Sequence, residues 1–302
     1  MFRLDFPALE YRHVVFPDAD GGDGVPINFT PMLPCVIRPV PAGGGLTPEE
    51  VRSLEWLFGK IGLGLGHYRP ETLKRRLIAC KRALRVTSVL EVCDIVERHP
   101  LLLQRAINTL LIGVSSFFRD SAVFDGIRDQ VLPALLQGSN APRIWSAGCS
   151  DGSELYSIAM LLAEKDALRN CHLLGTDCRV DAIERARAGC FASEGIAGVP
   201  EELKSRYFSY DRCTWRARSD LRAALHWRFA NVLGPGEEGL WDMILCRNLA
   251  IYLQSQTAGQ LWARLERCLR PGGFLVLGKA ERPTGRPSLR AIAPCIFQRE
   301  ES

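Results

Sequence analysis

Hydrophobic residues recur every three or four positions between residues 46 and 112, a spacing that predicts amphipathic helices. The first helix is expected to begin at Thr47, because Thr47 and Glu50 form a capping box and Pro48 takes the first helical position. Later helices are expected at about Pro70–Arg85, Ser88–Arg98 and Leu101–Leu111. The sequence therefore predicts an all-α N-terminal domain over residues 46–112.

The predicted helix over Pro70–Arg85 is strongly basic. Its outer faces carry six Lys and Arg side chains against one acid, Glu71. A basic helix is most often a solvated surface, but an excess this large and local also suits an acidic partner. The pattern alone leaves both interpretations open.

From residue 113 onward, short apolar runs alternate with helical patterns, which is typical of an α/β fold with a parallel sheet. The run Ile144–Ala147 predicts a buried strand, and Gly148, Gly152 and a helical pattern follow it. The runs His172–Asp177 and Trp241–Cys246 predict further buried strands. Because ligands bind beyond the carboxyl ends of such strands, a site is expected at this edge of the sheet.

Two features of this edge indicate a nucleoside ligand. The glycine spacing is G-x-x-x-G rather than the G-x-G-x-x-G of dinucleotide folds. The two glycines would let the backbone approach a ligand closely, or they would merely make a tight turn between strand and helix. Asp177 ends a strand, where a carboxylate can accept both hydroxyls of a ribose in NAD or S-adenosylmethionine folds. The alternative role for Asp177 is to cap a helix over Val180–Arg187. The glycine loop upstream favours ribose binding.

Alternating residues predict antiparallel strands at Thr214–Arg218 and Leu225–Phe229, and Ala291–Gln298 is expected to be the last edge strand. Phe117 and Phe118 are expected to wedge the helical and α/β parts together.

Composition narrows the class of protein. The 302 residues carry a net charge of +4, too small to indicate nucleic-acid binding. The sequence has no apolar run long enough for a membrane span and no secretory signal pattern at its start. The eleven cysteines are scattered without a C-x-x-C pair, which indicates reduced thiols rather than disulfides or a zinc site. A cytoplasmic protein without a metal is expected, with residues 1–45 as a leader of unknown role, partly disordered.

Together these motifs resemble the CheR-type protein-glutamate methyltransferases of bacterial chemotaxis. The Phe-Phe-Arg and Cys-Arg-Asn segments are specific to that family. The matching segments are Ser116–Asp120, Gly148–Tyr156, Gly175–Asp177, Arg206–Phe208, Cys246–Asn248, Ile251–Tyr252 and Leu269–Gly273.

The resemblance implies a fold and an activity. The fold is α/β, a class I S-adenosylmethionine methyltransferase (Rossmann-like) sheet over residues 113–302, with a small antiparallel β-subdomain inserted at about residues 191–231. The activity is methyl transfer from S-adenosylmethionine to glutamate side chains of chemoreceptor cytoplasmic helices, giving S-adenosylhomocysteine. The protein is expected to act as a monomer, without nucleic acid or membrane insertion.

The resemblance also implies roles for individual residues. Arg119 and Tyr252 are implied at the transfer site. The implied cofactor-binding residues are Ser115, Arg119, Gly148, Gly152, Glu154, Asp177, Asn231, Val232, Arg247 and Asn248. The implied substrate-binding residues are Arg75, Arg76 and Arg82.

The chain departs from the family pattern at a few positions. Gly113 stands where the family usually has an asparagine, Ser115 where it has a threonine, and Leu155 where it has a proline. Ala79 replaces an arginine of the basic helix, and Lys279 replaces a common His or Ser. These changes leave two alternatives open: a methyltransferase with a different substrate, or a non-catalytic module that senses S-adenosylmethionine or binds a signalling partner.

In some members of the resembling family, a hairpin of the small subdomain captures the C-terminal peptide of a receptor. Here Ser209–Cys213 is expected to be a connection without a strand, and Arg212, Arg216 and Arg218 resemble the charges that protect sheet edges. The sequence therefore predicts that this protein does not bind a receptor tail.

Overall fold

The computed structural model of the protein describes residues 45–111, 113, 115–139, 141–234 and 239–301, all within one compact unit. The predicted leader, except for Gly45, lies outside the described residues. None of the described helices is long and apolar enough to cross a membrane.

A bundle of helices occupies the first part of the described chain, as the hydrophobic spacing predicts. Thr47 and Glu50 form the predicted capping box, with the Thr47 N–H donating to the Glu50 carboxylate at 2.8 Å. The helices bury a shared apolar core that includes Leu57, Leu77 and Ile107. Their bounds are α1 Pro48–Gly59, α2 Pro70–Leu84, α3 Val89–Arg98 and α4 Leu102–Leu110.

A seven-stranded sheet and a three-stranded sheet form the second part. The strands are β1 Arg143–Ala147, β2 His172–Asp177, β3 Cys190–Phe191, β4 Phe208–Asp211, β5 Thr214–Ala217, β6 Leu225–Phe229, β7 Trp241–Cys246, β8 Leu269–Leu277, β9 Leu289–Ala293 and β10 Ile296–Arg299. The helices are α5 Ser121–Gly126, α6 Leu132–Gly138, α7 Ser153–Ala163, α8 Val180–Ala188, α9 Glu201–Tyr207, α10 Ser219–Ala224 and α11 Ser255–Cys268.

The large sheet has the strand order β6-β2-β1-β7-β8-β10-β9, and its first five strands are parallel. Apolar side chains cover both faces. Ile144 of β1 packs into one core with α7, whereas its neighbour Trp145 packs into the other with α11. The alternation of side chains along a strand thus gives two cores from one buried run.

The expected antiparallel pairing of Leu225–Phe229 is wrong. β6 runs parallel to β2, with Leu173 opposite Leu225 and Asp177 opposite Phe229. Its residues alternate because β6 is an edge strand, with one face on the core and the other partly exposed. An edge strand of a parallel sheet therefore shows the same alternation as an antiparallel strand.

The small sheet has the order β3-β5-β4 and lies within residues Cys190–Ala217. The expectation that Ser209–Cys213 forms a connection is wrong, because Phe208–Asp211 is the strand β4. Arg212 and Cys213 alone make the turn, both with positive φ angles (46° and 67°), as a tight type I′ hairpin requires. No glycine marks this turn, which is why the sequence did not reveal it.

Two other expectations need correction. Phe117 does not wedge the helical bundle against the α/β part, because its ring packs edge-on against Phe191 and Phe208 beside the small sheet. Phe118 packs on Phe124 of α5. The predicted last edge strand is a hairpin of two strands, β9 and β10, and β9 forms the edge of the large sheet.

Candidate active site

A large cavity lies at the carboxyl ends of β1, β2 and β7, where the sequence predicts a site. It encloses about 1090 Å³, including its open mouth, and both the helical bundle and the sheet line it. Among the residues that line it are Ser115, Arg119, Gly148, Glu154, Asp177, Asn231, Val232, Arg247, Asn248 and Tyr252. The structure thus brings together nearly all the cofactor and transfer-site residues that the resemblance implies.

Gly148 and Gly152 have different surroundings. Both have positive φ angles (76° and 84°), and Gly148 lines the cavity. Gly152 is not among the lining residues, and a Cβ there would lie 2.6 Å from the Trp227 ring. The expectation that both glycines let the backbone approach a ligand therefore fails for Gly152, which is needed for packing against β6.

Asp177 is buried at the end of β2, with 5% of its surface exposed. Its carboxylate accepts from the backbone N–H of Ser150 at 2.9 Å and of Arg179 at 3.0 Å. It does not cap α8, because Arg179 is the residue that precedes that helix. The carboxylate therefore belongs to the cavity, which removes the alternative role considered for it.

Arg179 is a site residue that the sequence reasoning missed. Its Nε and Nη2 atoms donate to the two carboxylate oxygens of Asp177 at 3.0 and 3.1 Å. A Cβ at Gly113 would lie 2.0–2.3 Å from three guanidinium atoms, so this arrangement requires glycine there. The signal in the sequence is the glycine at position 113, which leaves space that the Arg179 guanidinium fills.

Arg247 organises the acidic side of the cavity. Its buried guanidinium contacts Glu154 at 3.3 Å and Asp120 at 2.8 Å, and it also donates to the carbonyl oxygen of Arg119 at 2.8 Å. Glu154 accepts a second hydrogen bond, from the Ser146 hydroxyl at 2.8 Å. Arg247 thereby fixes Glu154 and the backbone at Arg119 relative to each other.

Lys279, one of the departures from the family pattern, joins the same group. Its ammonium contacts the Asp120 carboxylate at 2.8 Å. Burial alone would raise the pKa of Asp120, but the hydrogen bond from Lys279 and the positive charges of Arg247, Lys279 and Arg119 hold that pKa below its usual value.

Glu281 is a second residue that sequence reasoning missed. It is 3% exposed, and its carboxylate accepts four backbone N–H bonds at 2.7–2.9 Å. The donors are Asn248, Leu249, Ala250 and Gly278. One buried carboxylate therefore ties the loop after β7 to the loop after β8.

The loop after β7 also contacts the helical bundle. Asn248 has a positive φ angle (57°), and the turn Ala250–Tyr252 follows it. Tyr68 pairs with Leu253 in an antiparallel bridge, and the Gln254 N–H donates to the His67 carbonyl at 2.9 Å. The wall of the cavity that carries Tyr252 is thus joined to the entry of α2.

The three substrate-binding candidates lie on α2, outside the cavity. Arg75 and Arg82 are exposed and Arg76 is half-buried. Within the described part of the chain, none of the three pairs with an acidic side chain. Lys74, by contrast, contacts Glu50 at 3.8 Å and the Gly45 carbonyl at 2.8 Å, so it serves the fold.

Comparison with known proteins identifies the family. Residues 113–293 match the family model described as CheR methyltransferase, SAM binding domain. A chemotaxis protein methyltransferase of Listeria monocytogenes is 30% identical over 223 residues, which cover 74% of this chain and 85% of that protein. Another, from Borreliella burgdorferi, is 26% identical over 270 residues, covering 84% of this chain and 95% of that protein. Given the extent of the family match and of the Listeria similarity, the chain belongs to the CheR methyltransferase family and carries its S-adenosylmethionine-binding domain.

Proposed function

We propose that the protein transfers a methyl group from S-adenosylmethionine to glutamate side chains of chemoreceptors, in chemotaxis-type signalling. The shared cavity carries this proposal. One side is the ligand-binding edge of the sheet, and the other includes Tyr68, Thr72 and Leu73 at the start of α2. An acidic protein segment held by the basic face of α2 would lie beside the cofactor.

The residues at the cavity fit this cofactor. Asp177 offers a carboxylate to the ribose hydroxyls, Glu154 offers one to the methionyl ammonium, and Arg119 offers a cation to the methionyl carboxylate. We assign further cofactor contacts to Ser115, Gly148, Asn231, Val232, Arg247 and Asn248. Gly152 would act indirectly, by allowing α7 to pack against Trp227.

The proposed reaction needs no general base. When bound, the cofactor supplies a methyl carbon attached to a positively charged sulfur. A substrate glutamate has a pKa of about 4.3 and is already ionised at neutral pH. The described residues that line the cavity include no histidine, and burial raises the pKa of the Cys178 thiol there to about 12. The products are a glutamyl methyl ester and S-adenosylhomocysteine.

The protein therefore contributes placement and exclusion of water. Orientation can supply roughly 7–11 kcal/mol of the barrier reduction, and a dry site favours a step in which opposite charges neutralise each other. We assign Arg119 and Tyr252 to positioning the substrate carboxylate. Their hold must be weak, because a tight ion pair would stabilise the nucleophile before reaction.

We assign Arg75, Arg76 and Arg82 to binding acidic chemoreceptor helices. Support comes from their place on one helix whose buried side lines the cavity, and from their exposed or half-exposed guanidinium groups. Since this substrate is the cytoplasmic part of a receptor, we propose that the protein acts in the cytoplasm, and that it does so as a monomer.

We also propose that the protein does not bind a receptor tail. The edge strand β4 has four residues and ends at the tight turn of Arg212 and Cys213. Short edge strands flanked by charge are poor templates for an added strand. The protein would then reach its substrate through α2.

Incubation with radiolabelled S-adenosylmethionine and receptor-bearing membranes tests the function. Glutamyl methyl esters release volatile methanol in mild base, whereas N-methyl groups do not. Base-labile label on the receptor is the expected result. Cofactor binding without transfer would favour the non-catalytic alternative instead.

A further inference from the structure

Arg179 forms an ion pair with Asp177, the carboxylate that the ribose is expected to contact. Both residues are 5% exposed, and the guanidinium presents two N–H groups to the two carboxylate oxygens. Planar pairing of this kind is among the strongest side-chain interactions in proteins. Arg179 also lines the cavity, so a ligand bound there could contact it.

The hydrogen-bonding capacity of the Asp177 carboxylate is already used. An ionised carboxylate has about four acceptor positions. Two are taken by the backbone N–H groups of Ser150 and Arg179, which the loop geometry fixes, and two by the Arg179 side chain. A ribose diol needs two positions. Only the side-chain bonds of Arg179 can be released without unfolding the loop.

Gly113 leaves the space that the Arg179 guanidinium needs in order to pair with Asp177. A Cβ at residue 113 would lie 2.0 Å from Nη2 and 2.1 Å from Nη1 of Arg179. The Gly113 carbonyl is held by the Ser150 hydroxyl at 2.8 Å, so the backbone there is fixed relative to the Asp177 loop. The guanidinium occupies space that only glycine leaves open.

We propose that Arg179 sets the cofactor affinity by competing with the ribose hydroxyls for Asp177. This inference rests on the proposed cofactor site. While Arg179 is paired with Asp177, the two ribose hydroxyls cannot bond to that carboxylate. The cofactor therefore binds only the fraction of molecules in which the Arg179 side chain has moved away from Asp177. The apparent dissociation constant is therefore raised by the reciprocal of that fraction. A higher concentration of S-adenosylmethionine is therefore needed to half-fill the site than in a protein without the Arg179–Asp177 pair.

Two single variants test the competition from opposite directions. Arg179→Ser removes the competing guanidinium. Gly113→Ala keeps both charged residues but pushes the guanidinium away from Asp177. Isothermal calorimetry with S-adenosylhomocysteine should show a dissociation constant lower by about tenfold or more for each variant, the factor expected if about one molecule in ten or fewer is unpaired. Arg187→Ser, an exposed change on α8, is the matched control and should leave the affinity unchanged.

A double-variant cycle separates competition from other causes. Asp177→Asn removes the charge for which both groups compete, so adding Arg179→Ser to Asp177→Asn should give no further tightening. If Arg179→Ser lowers the stability of the protein too far, Gly113→Ala carries the test alone.

The outcomes are distinct. Unchanged or weaker binding in both single variants overturns the competition and makes Arg179 structural or a cofactor contact. The competition is also overturned if Arg179→Ser lowers the dissociation constant by the same factor in the natural sequence and in the Asp177→Asn variant. Absence of binding in the natural sequence and in every variant overturns the proposed cofactor site itself, together with the competition.

Discussion

Arg69 joins the basic helix to the loop after β7: its side-chain Nε donates to the carbonyl oxygen of Leu253 at 2.7 Å. Its backbone N–H donates to the Tyr252 carbonyl at 2.9 Å. The helix proposed to hold the substrate is thus bonded directly to the residue proposed to position the substrate carboxylate. Movement of α2 relative to the cavity would break both bonds.

Arg69→Met should reduce methyl transfer more than cofactor binding. The change removes one charged hydrogen bond, worth roughly 1.5–3 kcal/mol, and leaves the backbone bond in place. We expect kcat to fall about tenfold, with a change of less than about twofold in the S-adenosylhomocysteine dissociation constant. Steady-state kinetics and calorimetry measure the two quantities. An equal loss in both, or a loss shared by Arg187→Met, would contradict the coupling.

Asp177→Ala should weaken cofactor binding strongly. Loss of even one charge-assisted hydrogen bond to the ribose costs roughly 1.5–3 kcal/mol, so a fall in affinity of about tenfold or more is expected. The variant also leaves Arg179 buried without its carboxylate partner, so thermal unfolding must be followed alongside. Unchanged calorimetric affinity in a folded variant would remove Asp177 from the site.

Reversing Arg75, Arg76 and Arg82 to glutamate should abolish methylation of an acidic receptor while sparing cofactor binding. The three side chains make no ion pair within the described residues, so the fold should tolerate the change. The matched control reverses Arg105, Arg187 and Arg267, exposed arginines on α4, α8 and α11 that likewise make no ion pair within the described residues, which alters the net charge equally. If methylation persists in the α2 variant, or is lost equally in the control, that helix is a solvated surface only.

Glu281→Gln should destabilise the protein and loosen the cavity. The carboxylate accepts four backbone N–H bonds, whereas an amide turns two of its own N–H groups toward those donors. Each hydrogen bond to a buried charged group that is lost costs roughly 1.5–3 kcal/mol, measurable as a lower denaturant midpoint. The matched change Glu184→Gln, on the exposed side of α8, should leave the midpoint unchanged. A midpoint for Glu281→Gln equal to that of the natural sequence would contradict this role.

Sequence patterns predicted the elements well where a helix has one apolar face or a strand is one continuous apolar run. The helices α1 to α4 bury one face in a shared core, the strands β1, β2 and β7 are buried on both faces, and all appear close to their expected bounds. Strand direction was not predictable in the same way. Leu225–Phe229 alternates in either direction, since alternation reports which face is buried and not how the backbone pairs.

The candidate site was predictable through residues at the carboxyl ends of the parallel strands. Asp177 ends β2 and Glu154 lies in the first turn of α7, just after β1, and both line the cavity. Arg179 and Glu281 were missed because they act on other protein groups, an opposing carboxylate and a set of backbone amides. The amides of Asn248, Leu249 and Ala250 lie 31–33 residues before Glu281. Arg179 lies only two residues after Asp177, but its guanidinium needs the space beside Gly113, which no local spacing indicates.

The last prediction concerns the receptor tail. The hairpin of β4 and β5 is more regular than the sequence suggested, and β4 lies at the edge of its sheet, with Tyr210 exposed. A peptide that pairs with β4 would find at most four residues of main chain before the turn, fewer than most strands offer. Arg212 adds charge at one end of β4, and the ion pair of Arg218 with Asp220 lies near the other end. We therefore expect equal methylation of a receptor with and without its last residues, and no saturable binding of the free tail peptide in a calorimetric titration. Tail binding with a dissociation constant on the order of micromolar, or loss of methylation on truncation, would show that β4 accepts an added strand.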